Sequence, residues 1–265
     1  MPKKILLSDD LNRDHPSMTV VGVDCATVSQ KTGLAFAVVA GGALTIEECL
    51  VARPKVRVSD QIYDRLHGHS AALLALDAPL GWPSEIGTHL SEHSAGRALS
   101  IESDVLFRRR TDQVIRDRLH KAPLEVAANF IARTAVSALK LLEELSELNG
   151  EVIPLAWEPP QQNGIYAIEV YPAGTLRAYL KMGFLKSTGT TIEQKRALLR
   201  KSQRDGRLRF GTSVAQSMEN THALDSVMCC VAALDFLQRK SIRPRFEDMD
   251  KAKKEGWIWV RDPSA

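Results

Sequence analysis

Two apolar runs that each stop at an aspartate constrain this chain most. Thr-Val-Val-Gly-Val (19–23) ends in Asp24, and Ala-Leu-Leu-Ala-Leu (72–76) ends in Asp77. A short continuous apolar run suits a strand covered on both faces of a sheet. The carboxylate that ends it then lies at the sheet's edge. A third aspartate, Asp225, interrupts His-Ala-Leu-Asp-Ser-Val-Met-Cys-Cys-Val-Ala-Ala-Leu (222–234), a stretch of helical length. Ionised carboxylates are seldom buried unless they are paired, hydrogen-bonded or bound to a metal. Two strand ends and one apolar helix, each carrying a carboxylate, predict one shared site for a divalent cation. The competing reading is that Asp24 and Asp77 cap turns while Asp225 pairs with His222 or an arginine.

The remaining elements say how the three could meet. Gly33–Val39 reads as a second strand, and Gly41-Gly42 supplies positive-φ positions for a hairpin into Ala43–Val51. Ser59–His69 reads as a short helix with Ser59 as its cap and Ile62 and Leu66 on one face. A three-strand meander followed by a helical crossover places the next strand, Leu73–Leu76, parallel to the first. Asp24 and Asp77 then stand side by side, and a helix packed across that edge delivers Asp225.

Residues 79–157 break the strand pattern. Pro79-Leu-Gly-Trp-Pro83 is a loop, and Phe107–His120 is a basic helical segment. Pro123–Leu148 carries Val126, Phe130, Val136, Leu139, Leu142 and Leu145 as a long amphipathic helix that ends at Asn149-Gly150. These helices are expected to form a cap or subdomain. Further on come a strand at Ile168–Tyr171 stopped by Pro172, a charged helix at Thr191–Arg204, an apolar helix at Met218–Arg239, and an edge strand within 255–260. No repeat or linker divides the chain. The expected fold class is α/β, an RNase H-like mixed sheet flanked by helices with a helical insertion. It forms a single domain over 18–265, behind a loosely packed tail at 1–17.

Charge leaves the partner open: 35 basic and 32 acidic side chains give a formal net charge of only +3. Local clusters matter more than the total. One gathers Lys195, Arg196, Arg200, Lys201, Arg204, Arg207 and Arg209; the other gathers Arg108, Arg109, Arg110, Arg116, Arg118 and Lys121. Either would suit backbone phosphates, or simply form a solvated helix face. Cys25, Cys49, Cys229 and Cys230 contain no CxxC pair, so a reducing cytoplasm is the expected compartment. No apolar stretch approaches the roughly 20 residues of a membrane span, and the N-terminal apolar run is short for a signal peptide. HExxH, Walker A, GxSxG and zinc-ligand patterns are all missing.

Gly-Val-Asp-Cys-Ala (22–26), Ala-Leu-Asp-Ala-Pro-Leu-Gly (75–81), Arg-Arg-Thr-Asp (109–112), Glu-Val-Tyr-Pro (169–172), His-Ala-Leu-Asp-Ser-Val-Met-Cys (222–229) and Glu-Gly-Trp-Ile (255–258) follow one another in this order. As a set they resemble the domain-of-unknown-function 429 family, regarded as predicted nucleases of RNase H fold. The resemblance covers nearly the whole chain after about residue 18. It implies an acidic metal centre at Asp24, Asp77 and Asp225, taking Mg²⁺ or Mn²⁺. The same matches point to Glu169, as a fourth ligand, an orienting carboxylate or a solvent-facing edge residue. Arg110 and Asp112 could pair with each other to fix the cap, or reach a phosphate. Trp82 could stack on a base or wedge the cap, whereas Trp157, Trp257 and Trp259 look like packing residues. His222, one turn before Asp225, could ligate metal, shuttle a proton or merely cap its helix.

The activity these features imply is metal-dependent phosphodiester hydrolysis on DNA or RNA. A non-catalytic nucleic-acid- or protein-binding module on the same fold is the alternative. An actin-like or sugar-kinase phosphotransferase is a weaker one, because a second Asp-x-Gly-x-Gly phosphate loop is missing.

Overall fold

The predicted meander opens the chain in the computed structural model, which describes residues 17–265 other than Ala128, Ser187 and Ser213. It consists of β1 (Met18–Asp24), β2 (Gly33–Ala40) and β3 (Ala43–Val51). The tail expected at 1–17 lies, apart from Ser17, outside the described residues. Gly41 and Gly42 turn the β2–β3 hairpin with φ of 54° and 76°, values that only glycine adopts without steric cost. Helix α1 (Val58–Leu66) then crosses to β4 (Ala71–Asp77), which pairs in parallel with β1. The register sets Asp24 opposite Asp77.

Four helices follow: α2 (Ser84–Leu90), α3 (Ser103–Phe107), α4 (Arg110–Leu119) and α5 (Asn129–Asn149). The chain continues through β5 (Gly164–Val170), α6 (Pro172–Lys181), α7 (Thr191–Arg204), β6 (Leu208–Phe210) and α8 (Val214–Ser217). It closes with α9 (Thr221–Leu237), α10 (Met249–Glu255) and β7 (Ile258–Trp259). Among the described residues the strands form one sheet in the order β6-β3-β2-β1-β4-β5-β7. Only β2 runs antiparallel to its neighbours. This is the RNase H-like mixed α/β arrangement, with helices on both faces.

Alternation along the strands fills two apolar layers. Val20 of β1 and Leu73 of β4 join the layer formed with Val227, Met228 and Val231 of α9. Val21 and Leu74 point to the opposite layer, against Ile62 and Leu66 of α1 and Ala138, Leu142 and Leu145 of α5. Helices α4 and α5 therefore do not stand apart as a cap. Helix α5 is the main cover of one sheet face, and Ile115 and Leu119 of α4 are buried in the other layer. The buried face of α5 follows Ala135, Ala138, Leu142 and Leu145, whereas Phe130 and Val136 are exposed. Leu142 and Leu145 thus lie inward as their spacing predicts, with Leu139 packed beside them, while Phe130 and Val136 fall on the outer face.

Two further expectations change. Ser59 does not cap α1; Arg57 holds the cap position, and the Ser59 hydroxyl donates to Glu144 on α5 at 2.6 Å. Pro172 not only stops β5 but begins α6, where its missing N–H costs nothing. Trp257 and Trp259 are buried, and Trp157 packs partly against the same layer. Among the described residues no helix is long and apolar enough to cross a membrane.

The approach of α9 to the sheet depends on two glycines. A Cβ on Gly22 would lie 2.0 Å from the Ser226 carbonyl oxygen, and one on Gly33 would lie 2.0 Å from that of His222. Any side chain at either position would push the helix off the sheet. With hydrogen atoms alone there, α9 rests on β1 and β2 and carries His222 and Asp225 to the end of β1.

Candidate active site at the carboxyl edge of the sheet

Asp24 and Asp77 end adjacent parallel strands, so their carboxyl groups emerge at the same edge. Asp225 reaches that edge from the first turns of α9, whose start is fixed by Asn220: its side chain accepts from the N–H groups of His222 and Ala223. The Asp24 Oδ2 and His222 Nδ1 atoms are 2.7 Å apart; with Asp24 ionised, the imidazole is the donor. Lys195 of α7 donates through Nζ to Asp225 Oδ1.

Burial and neighbouring charge show in the acidity of Asp24 and Asp77. Burial pushes Asp24 up to about 6, and the nearby Asp225 adds to the rise, while His222 and Lys195 oppose it. Asp77 is driven well above the usual carboxylate range, first by burial and then by the charges of Asp24 and Asp225. None of the leading influences on Asp77 is a hydrogen bond. The thiols of Cys25 and Cys229 are pushed up by burial and then by Asp77 and Asp24, so neither is a ready nucleophile.

The loop that follows Asp77 is held from below. Glu169 of β5, 4% exposed, accepts from the Leu80 N–H at 2.9 Å. Its two oxygens also take a bidentate pair of bonds from Arg109, at 2.7 and 2.8 Å. Arg109 in turn bonds Asp112, whose carboxylate accepts from the Arg109 N–H and closes a capping box on α4. Glu255 completes the support by accepting from the Ser84 N–H and hydroxyl and from the Arg110 N–H. Glu169 is thus engaged with Arg109, while its charge still adds to the rise at Asp77.

Other expected contributors are placed elsewhere. The Arg110 guanidinium bonds Asp248 at 2.7 Å, and Asp112 pairs with Arg109 rather than Arg110. Trp82 is half-buried in the loop after β4 and joins neither apolar layer. The arginines of the second basic cluster each meet a carboxylate: Arg108 and Arg116 meet Asp104, Arg118 meets Asp262, and Arg109 and Arg110 are paired as above. The first cluster is divided, because Lys195 turns inward to Asp225 and Arg207 to Asp235, while Arg200, Arg204 and Arg209 are exposed. Beside the end of β1 lies a cleft of about 370 Å³ lined by Cys25, Thr27, Ser29, Arg57 and Lys140.

Lys195 was hidden in the sequence among the other cations of its helix. The signal that separates it is its spacing from Leu198, Leu199 and Ser202, which share the buried face of α7.

Among the described residues, no three His, Cys, Asp or Glu side chains stand grouped as ready metal ligands. His222 and Lys195 occupy part of the carboxylate oxygens instead. The three carboxyl groups come from three elements at one edge, and the charges of Asp24 and Asp225 add to the rise that burial causes at Asp77; carboxylate oxygen is the donor type that hard cations take.

No curated protein and no solved structure matches this chain. A family profile described as a protein of unknown function, DUF429, matches residues 22–248. The chain, ordered around Asp24, Asp77 and Asp225 within that span, belongs to the DUF429 family.

Proposed function

We propose that the protein is a metal-dependent phosphodiester hydrolase acting on nucleic acid, with Asp24 and Asp77 as the principal ligands of Mg²⁺ or Mn²⁺ and Asp225 completing the centre. The observation that carries this reading is the parallel register of Asp24 with Asp77. Structural aspartates have no need to face one another across a pair of strands, where like charges repel. A divalent ion held there supplies a lowered pKa for a bound water and a Lewis acid for the phosphoryl oxygen.

The chain's own groups have separate tasks. His222 is oriented by Asp24 through Nδ1, which leaves Nε2 to take or give a proton at the reacting oxygen. Glu169, Arg109 and Glu255 hold the backbone after Asp77, fixing the direction of its carboxyl group. The cleft past Cys25, lined by Arg57, Lys140 and Glu144 and by none of the three aspartates, is assigned here as a path for the substrate's phosphates. Trp82 is retained as a stacking surface for a base. Nucleic acid as DNA or RNA and a cytoplasmic setting belong to the same proposal; the four unpaired thiols accord with a reducing compartment.

One observation favours the non-catalytic alternative. The carboxylates already have internal partners in His222 and Lys195, so a binding module could keep them as structural ion pairs. Calorimetric titration of Mn²⁺ into the wild type and into the Asp24→Asn/Asp77→Asn variant separates the two. The proposal requires binding in the wild type that the variant loses, together with Mn²⁺-dependent cleavage of single- or double-stranded nucleic acid that Asp77→Asn abolishes. Cleavage that persists in Asp77→Asn would sink the assignment.

A further inference from the structure

We infer that Arg196, Arg200 and Arg204, a stripe on the outer side of α7, form a track for the phosphate backbone of a nucleic-acid strand. The inference rests on the nucleic-acid reading above and adds where the strand runs beyond the reacting phosphate.

Helix geometry sets the stripe. Residues four apart on a helix share a face and lie about 6 Å apart along its axis. Lys195, Leu198, Leu199 and Ser202 take the buried face of α7. Arg196, Arg200 and Arg204 therefore follow one another on the outer side, over about 12 Å. Arg200 and Arg204 are exposed. Arg196 is half-buried and donates to the carbonyls of Met218 and Glu219, at 3.4 and 3.5 Å, just before Asn220 caps α9. Arg209 does not belong to the stripe: Leu208 and Phe210 turn to the α9 layer, so alternation along β6 sends Arg209 to the opposite face.

The direction of α7 ties the stripe to the candidate centre. Lys195 meets Asp225 at the carboxyl edge of the sheet. The helix then feeds β6, which lies parallel to β3, and β3 runs in the same sense as β1 across β2. A helix that feeds such a strand leads from the carboxyl edge back to the amino edge. Arg196 thus stands next to the centre and Arg204 farthest from it. Helix α7 packs in the α9 layer, whereas the cleft past Cys25 is bordered by Lys140 of α5 in the other layer. A strand with its phosphodiester at the edge between them would have its flanking phosphates met on both sides.

Charge and chemistry select the occupant. The nearby aspartates have other partners: Asp205 pairs with Lys201, Asp225 with Lys195 and Asp235 with Arg207. Glu193 shares the outer side but closes the capping box with Thr190, so the stripe sets three arginines against one glutamate. Arg200 and Arg204 meet no carboxylate among the described residues, unlike Arg116 and Arg118 of α4. A guanidinium grips phosphate through two parallel bonds, and a row of them at helical spacing suits a row of phosphates better than a lone anion. No aromatic side chain stands on α7, so the contact is with the backbone and does not read sequence.

The test is the salt dependence of binding, read by fluorescence anisotropy with a labelled single strand and a labelled duplex, a chelator being present to prevent cleavage. Arg200→Gln/Arg204→Gln is expected to make the slope of log K against log salt shallower by about 1.4 on the single strand or about 1.8 on the duplex. Arg200→Lys/Arg204→Lys keeps the charges and is expected to hold the wild-type slope. Arg209→Gln, on the other face, is expected to hold it as well. An unchanged slope in the glutamine pair, a comparable loss in Arg209→Gln, or no salt-dependent binding by the wild type overturns the inference. Retention on vesicles of anionic lipid, lost in the glutamine pair while its nucleic-acid slope stays at the wild-type value, would assign the stripe to a membrane surface and overturn it too. Cleavage by Asp77→Asn is judged separately: a shallower slope beside retained cleavage sustains the track and removes the metal assignment.

Discussion

Replacing Asp24 by asparagine should stabilise the metal-free protein, by an amount that depends on pH. The Asp24 carboxyl is raised from 3.8 to about 6 in the folded chain. An acid whose folded pKa lies above its unfolded one binds more protons when folded, so stability falls as pH rises between the two values. At about 1.4 kcal/mol per unit, the native state loses about 3 kcal/mol by pH 7.5 relative to strong acid. At pH 4.5 the folded carboxyl is protonated and the unfolded one mostly ionised, so only about 1 kcal/mol has been lost. The asparagine side chain would carry no such penalty and would keep a neutral hydrogen bond towards His222. Urea unfolding in the presence of a chelator, at both pH values, reads the difference. The advantage of Asp24→Asn over wild type should grow by about 2 kcal/mol from pH 4.5 to 7.5. A variant less stable than wild type at pH 7.5, or a gap that ignores pH, would refute the claim that burial of the ionised Asp24 carboxyl is not fully offset by His222 and Lys195.

Three further outcomes follow from the supports around the site. Arg109→Met leaves Glu169 and Asp112 as buried carboxylates without their partner, and should cost about 3–5 kcal/mol in urea unfolding. Gly22→Val should displace α9 from β1; loss of Mn²⁺ binding in a variant that keeps wild-type helical circular dichroism would report that displacement. Buried Asp235 accepts from the Tyr179 hydroxyl, Arg207 and Arg261, so Asp235→Ala strands both arginines, and a melting temperature within a degree of wild type would contradict that network.

The sheet was legible because its signals are local. The strand β1, the Gly-Gly hairpin and the crossover to β4 each follow from a handful of neighbouring residues, and their handedness then forces Asp24 beside Asp77. Asp225 showed itself as a charge in an otherwise apolar helix. Partners were not legible where they depend on distant segments. Nothing near Glu169 announces Arg109, 60 residues earlier, and nothing near Ser84 announces Glu255. A pair with Arg110 was one of the two roles open to Asp112, whereas the structure pairs it with Arg109, three positions earlier. On α5 the large residues were a partial guide: Leu142 and Leu145 are buried, but Phe130 and Val136 are left to solvent and the small Ala135 and Ala138 are buried in their place.

The support of the Asp77 loop by Glu255 has a consequence in time. Ser84 waits for a partner 171 residues further along the chain. At synthesis rates of about 5–20 residues per second, that wait is roughly 10–35 s. The meander and β4 can pair long before, since everything they need is already made. Until Glu255 is made, the nascent chain would hold the meander and β4 with the Ser84 end of the loop unfastened, so the backbone after Asp77 is completed by one of the last segments to appear.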